Sequence, residues 1–256
     1  MTHRFPLFLV LTALALPVSA GEPPLLRYTE LDLPDSMSGA ARDARAFREK
    51  DAVVQKLFDD AGVEFPPRQL LLRGFKAERH LEVWAASAGT GPLTHVATYE
   101  ICYASGSAGP KRRQGDGQVP EGFYHLDYFN KRSNFHLSFR VNYPNASDKV
   151  LGHRGNLGSA IMIHGDCVSI GCLAMSDERI EELWVMTRTM DKLKRRVYVH
   201  LFPTRDMEGL IEQEADSKHL AFWKNIKKGL ELFEATKTLP RVRVDRRGTY
   251  LFEAGN

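Results

Sequence analysis

The feature that most constrains this chain is residues 161 to 175, IMIHGDCVSIGCLAM. The apolar run that ends at His164 is too short for a helix and reads as a buried strand. Gly165 to Ser169 then supply turn residues, and a second small-residue run follows through Gly171 and Cys172. A core strand has no need of His164, Asp166 or Ser169, because an unpaired polar group costs free energy when buried. The turn that folds one run back beside the other brings Cys172 next to His164. Three readings stay open on these residues alone. The first is a satisfied core histidine with a cysteine packed as a small hydrophobe. The second is a zinc site of H-x2-C-x4-C spacing, which lacks a C-x2-C pair and a clear fourth ligand. The third is a cysteine nucleophile with a histidine base. In that third reading Gly171 lets backbone N–H groups hold an oxyanion and Ser169 orients the turn.

The rest of the chain points to a strand-rich centre with helices at both ends. Residues 40 to 62 space Phe47, Val54, Leu57 and Phe58 at helical intervals and stop at Gly62. RQLLLRGFKAERHLEVWAAS is two apolar runs around a charged middle, which predicts a β-hairpin. THVATYEICYAS, FHLSFRVNYP, SAIMIHG and RRVYVHLFP read as strands, and GSAGPKRRQGDGQVPEGFYHL as an irregular loop. SDERIEELWVMTRTMDKL puts Ile180, Leu183, Trp184 and Leu193 on one helical face, with Ser176 or Asp177 as its cap. Beyond residue 204, LAFWKNIKKGLELFEA is helical and RVRVDRRGTYLF forms a short strand.

At 256 residues and 43% hydrophobic, the chain is long enough for one main domain with small additions. A net charge of +3, with both signs interspersed, argues against nucleic-acid binding. Residues 1 to 20 carry a short basic start, an apolar run and small residues before Ala20, the pattern of a cleaved secretory signal. No later segment is apolar and long enough to span a membrane. In an oxidising compartment three cysteines, Cys102, Cys167 and Cys172, leave at least one thiol unpaired within the chain. Cys167 is expected to be structural or bonded to Cys102; a bond to Cys172 is the other arrangement.

IMIHGDCVSIGC resembles the active-site signature of the L,D-transpeptidase catalytic domain (YkuD) family, in its YafK-like branch. His164–Gly165 and Ser169–Ile170–Gly171–Cys172 carry the match. So does the upstream loop through Gly109, Lys111, Gly115, Asp116, Pro120, Glu121, Gly122 and Tyr124. The chain departs from the wider family at Ile170, where a histidine is usual, and in the LAM that follows Cys172. The resemblance implies a mainly β (α+β) catalytic domain of sandwich or barrel type with flanking helices. It implies the following division: a signal at 1–20, a lead-in and helix at 21–62, the catalytic domain at 63–203 and a helical extension at 204–256. It implies a periplasmic enzyme with Cys172 as nucleophile, His164 as proton donor and acceptor, Gly171 as oxyanion backbone and Ser169 in an orienting role. Lys111, Arg112 and His136 are expected to meet substrate, whereas Asp116 and Glu121 are expected to fix their loop. No metal or organic cofactor is needed. The partners implied are peptidoglycan stem peptides, attacked at meso-diaminopimelate, and an outer-membrane lipoprotein linked to peptidoglycan. The reaction is transpeptidation or release of that lipoprotein by an amidase. L,D-carboxypeptidase action, or peptidoglycan binding without catalysis, is the alternative.

Overall fold

The computed structural model describes residues 38–158, 160–169 and 171–255; the expected signal lies outside them. The chain enters through α1 (Gly39–Asp60), capped where Ser38 Oγ accepts from the Ala41 N–H at 3.3 Å. Val54 and Phe58 face inward, and Gly62, at φ +68, takes the chain out of the helix in a left-handed turn. The expected hairpin follows as β1 (Gln69–Phe75) and β2 (His80–Ala86), and β3 (Thr94–Glu100) continues the antiparallel run.

A short β4 (Tyr103–Ala104) precedes the irregular loop. β5 (Gly122–Asn130) then rises out of that loop, its first five residues lying where a loop is expected and the rest where no element is. β6 (Ser138–Val141), the six-residue α2 (Ala146–Leu151), β7 (Met162–His164) and β8 (Leu173–Ala174) come next. α3 (Asp177–Lys192) is capped by Ser176, whose Oγ accepts from the Arg179 N–H, and it leads to β9 (Val197–Phe202). The strands make one curled sheet of nine, in the order β3-β2-β1-β9-β5-β6-β7-β8-β4. The architecture is mainly β with flanking helices, as expected.

β9 pairs in parallel with β1 and antiparallel with β5, so it is the seam that joins the two halves of the sheet. Leu70, Leu71 and Leu72 are all fully buried, because helices or strands cover both faces there. On one face α3 and α1 close a core around Phe58, Phe139, Ile163 and Trp184. The two helices are stitched by Trp184 Nε1, which donates to Asp43 Oδ1 at 2.8 Å, and by the Arg45–Glu181 pair at 2.8 Å. The other face carries α4 (Met207–Gln213), α5 (Leu220–Thr236) and the hairpin β10 (Arg241–Val244) and β11 (Tyr250–Glu253), a strand pair where the sequence reading had one short strand. Trp223 on α5 packs with Phe75, Phe123 and Phe202, and its Nε1 donates to Glu121 Oε2 at 2.9 Å. Lys76 Nζ reaches the other oxygen of the fully buried Glu121, also at 2.9 Å. Glu121 therefore ties the irregular loop to β1 and to α5.

Candidate active site

His164 is the last residue of β7, and the chain returns at Leu173 into the parallel β8. Ile163 is opposite Leu173 and His164 opposite Ala174, so Cys172 falls beside Met162 by continuation of the register. Alternate residues of a strand share a face, and His164 and Cys172 are two steps apart on the same one. Strand spacings put their α-carbons roughly 8 Å apart, a gap that a histidine side chain leaning along the strand narrows. The Met162 N–H donates to Cys172 Sγ at 3.4 Å, and the thiol lies 3.8 Å from the Ala160 carbonyl.

The turn between the two strands is held from several sides. His164 Nδ1 lies 2.6 Å from the Gly165 carbonyl oxygen. A carbonyl only accepts, so Nδ1 bears the proton and Nε2 is the bare, basic nitrogen. Gly165 has no room for a side chain: a Cβ there would sit 2.5 Å from Asp177 Oδ1 and 3.0 Å from Ile180 Cγ2. The same Asp177 oxygen accepts the Asp166 N–H at 2.8 Å, which fastens the turn to the start of α3. Gly171, at φ +99, adopts a backbone conformation that residues with a Cβ rarely reach. Its N–H donates to Ser105 Oγ at 2.5 Å. Ser169 closes a local ring, accepting from the Cys172 N–H and donating to the Cys172 carbonyl, each at 2.8 Å. Ser169 thus orients the cysteine's backbone rather than the imidazole.

A disulfide between Cys102 and Cys167 clamps the turn to the β3–β4 connection, with 5.4 Å between α-carbons. β4 pairs with β8 just beyond it. Cys172 is the one free thiol in the chain and is partly exposed. His164 is only 2% exposed, and the ring of Phe135 covers it at 4.8 Å between centroids.

Burial governs the electrostatics of the pair. It pushes the His164 imidazolium below its ordinary value, against the smaller opposing pulls of the Gly165 carbonyl and Asp166. It pushes the Cys172 thiol up, with the Met162 N–H and the Lys111 charge pulling the other way. Both shifts favour the neutral forms, so the resting pair is thiol and imidazole rather than thiolate and imidazolium. Alkylation of Cys172 by iodoacetamide should accordingly still be accelerating as pH rises past 9; a plateau reached below about pH 8 would mean an ion pair instead.

The other expected site residues have internal partners. Lys111 is 5% exposed, and its Nζ bonds Asp116 Oδ1 at 2.6 Å and the Arg113 carbonyl at 2.9 Å. Arg112 pairs with Asp148 Oδ1 at 3.0 Å and lies over the Phe222 ring. His136 Nε2 meets Glu181 Oε1 at 2.9 Å. Each of the three is turned to a carboxylate of the protein. Lys111 nonetheless acts on the site through its charge. Asp116 is the hub of the loop: burial raises its carboxyl, but Lys111 and the N–H groups of Arg112, Arg113 and Gln118 outweigh that and hold it below the ordinary value. Ser105 and Phe135 went unread in the sequence, since neither sits in a motif and each reaches the site only through the fold.

Known proteins resemble this chain over the same region. Residues 68–199 match the model of the L,D-transpeptidase catalytic domain, YkuD. The protein YafK of Escherichia coli K12, provisionally described as an L,D-transpeptidase, is 35% identical over 173 residues, covering 66% of this chain and 68% of its own length. Among solved structures, the helical cell shape determining protein Pgp2 from Campylobacter jejuni superposes with a TM-score of 0.43 and 19% identity, over 77% of this chain and 80% of that one. A variant of Pgp2 gives a TM-score of 0.44 and 22% identity over 62% of this chain and 56%, little more than half, of the other.

Proposed function

The chain belongs to the L,D-transpeptidase catalytic-domain family, and from that premise we propose that it is a periplasmic cysteine enzyme acting on peptidoglycan stem peptides through a thioester. The observation that carries this reading is the pairing of functions across β7 and β8. The chain's free thiol shares a sheet face with a histidine whose Nδ1 is tied to a carbonyl, which leaves Nε2 to act as base. The Cys102–Cys167 bond supports an oxidising compartment. Among the described residues no helix is long and apolar enough to cross a membrane.

In the proposed cycle His164 Nε2 takes the thiol proton as Cys172 Sγ attacks the carbonyl carbon at meso-diaminopimelate. The carbonyl oxygen becomes an oxyanion, and the Gly171 N–H exchanges the Ser105 hydroxyl for this stronger acceptor. The imidazolium returns the proton to the leaving amine, the C–N bond breaks and a thioester remains. An incoming amine or water then loses its proton to Nε2, attacks the thioester and releases Cys172 as the thiol. With an amine the outcome is transpeptidation; with water it is hydrolysis, including release of a peptidoglycan-linked lipoprotein. Incubation with purified muropeptides and lipoprotein-linked sacculi, followed by mass analysis, decides between them. Dimers joined through two diaminopimelates indicate transfer, and freed lipoprotein or tripeptide indicates hydrolysis. No change in either substrate would refute catalysis and leave a binding protein.

Two further results are expected. Because His164 resists protonation, the acid limb of the rate profile should fall at a pH below the usual histidine midpoint of about 6.5. A limb centred above that midpoint would contradict the assignment of the base. Gly165→Ala should lower kcat by about 100-fold, since the added Cβ displaces the carbonyl that holds Nδ1. Kinetics beside a thermal melt would separate this loss from unfolding.

A further inference from the structure

A cavity of about 680 Å3 lies away from Cys172. It opens between β10–β11 and the sheet face built by β5, β9 and the start of β1, and no residue from 147 to 194 lines it. Its volume is that of a small-molecule site. Five arginines line it, Arg68, Arg195, Arg196, Arg241 and Arg243, and no lysine, aspartate or glutamate does. The parallel register of β1 with β9, continued one step before each strand, brings the Arg68 end beside Arg195 and Arg196. β10 supplies the remaining two from the facing wall.

Two of these guanidinium groups are already engaged. Arg195 donates to the Pro66 and Pro67 carbonyls at 3.2 and 2.8 Å, and Arg243 stands 3.7 Å from Glu253. Arg68, Arg196 and Arg241 are exposed, and their guanidinium groups have no ion pair or hydrogen bond among the described residues. Asp127 would be opposite Arg196 in the β5–β9 register, but it is bonded to Arg140 at 2.8 and 3.3 Å. At His125, also in the wall, burial and the nearby Arg196 disfavour the charged form, against a smaller pull from Asp127. The groove therefore concentrates like charges in a concave wall, three of whose guanidinium groups have no counter-ion among the described residues, which favours a multiply charged anion.

We propose that this groove binds a phosphate-bearing ligand with at least two negative charges, either a free phosphorylated small molecule or the headgroup of a lipid. Arginine forks match phosphate oxygens two at a time, and the absence of lysine from the lining fits a site selecting for that geometry. A phosphomonoester or pyrophosphate brings close to two charges on one compact group, whereas carboxylates must come from separate carbons.

Calorimetric titration with inorganic pyrophosphate tests the proposal. At low salt the expected result is saturable binding with Kd below about 1 mM that weakens as salt rises. Arg196→Gln combined with Arg241→Gln should weaken it by about tenfold or more. Neither side chain has a native partner to lose, and the Cys172 alkylation rate, read in parallel, should be unchanged. Co-sedimentation with vesicles containing phosphatidic acid, against vesicles of neutral lipid, separates the sources. Capture by the acidic vesicles that the double variant loses points to a headgroup, and pyrophosphate binding without capture points to a soluble ligand. Citrate binding more tightly than pyrophosphate, affinity unmoved by the double substitution, or absence of binding to both phosphate probes would overturn the proposal. None of these readings depends on the thioester chemistry.

Discussion

Cys172→Ala is expected to abolish the proposed turnover of peptidoglycan substrates, by at least about 10^4-fold, while the protein keeps its fold. The expected size follows from what is removed. Without Sγ there is no atom to form the thioester, and water must attack the peptide directly with only the backbone donors and His164 to help. Stability should move little. The thiol is partly exposed and its sulfur contacts, the Met162 N–H at 3.4 Å and the Ala160 carbonyl at 3.8 Å, are weak ones. The check is a product assay on purified sacculi beside circular dichroism of the same preparation. Activity within tenfold of the parent, in a folded variant, would remove the sulfur from the mechanism.

Loss of the Cys102–Cys167 bridge has the largest expected effect on stability. The bond closes a loop of 65 residues, and the chain-entropy relation for a loop of that length gives about 4 kcal/mol at 25 °C. The double variant Cys102→Ala with Cys167→Ala should therefore unfold at clearly lower urea, with an unchanged or larger m-value. Reductant should destabilise the parent by a similar amount and leave the double variant where it is. Activity should fall beyond what unfolding explains. The bridge, the β4–β8 pairing and the Ser105–Gly171 bond together hold the turn that positions Cys172. A loss under about 1 kcal/mol would show that the turn is held by its hydrogen bonds alone.

Much of the fold was legible in the sequence where the signal was local. α1, the β1–β2 hairpin, α3 and β9 each repeat a hydrophobic period over enough residues to be recognised. β5 escaped because it begins directly after a glycine-rich loop and buries Phe123, Tyr124 and Leu126 with little alternation. Such a strand, covered on both faces, lacks the period-two pattern of a half-exposed one. α2 is a single six-residue piece recognisable by its capping box, Asn145 with Asp148, more than by any period. At the site, the return of the chain from His164 to a neighbouring run at Cys172 was readable from spacing and resemblance. The partners of Lys111 and Arg112 were not. Asp148 lies 36 residues from Arg112, and nothing near Arg112 in the chain announces it.

By itself the sequence determined the long periodic elements, the two short runs that carry the histidine and the cysteine, and the family they belong to. Those properties depend on residues a few places apart, whose side-chain period and backbone preferences act within one element. The tertiary structure alone decided that burial lowers the His164 imidazolium and raises the Cys172 thiol, that His164 Nδ1 faces a carbonyl, and that a hydroxyl from residue 105 already occupies the Gly171 amide. Desolvation and long-range hydrogen bonds arise only when segments far apart in the chain exclude water together, so no local pattern carries them.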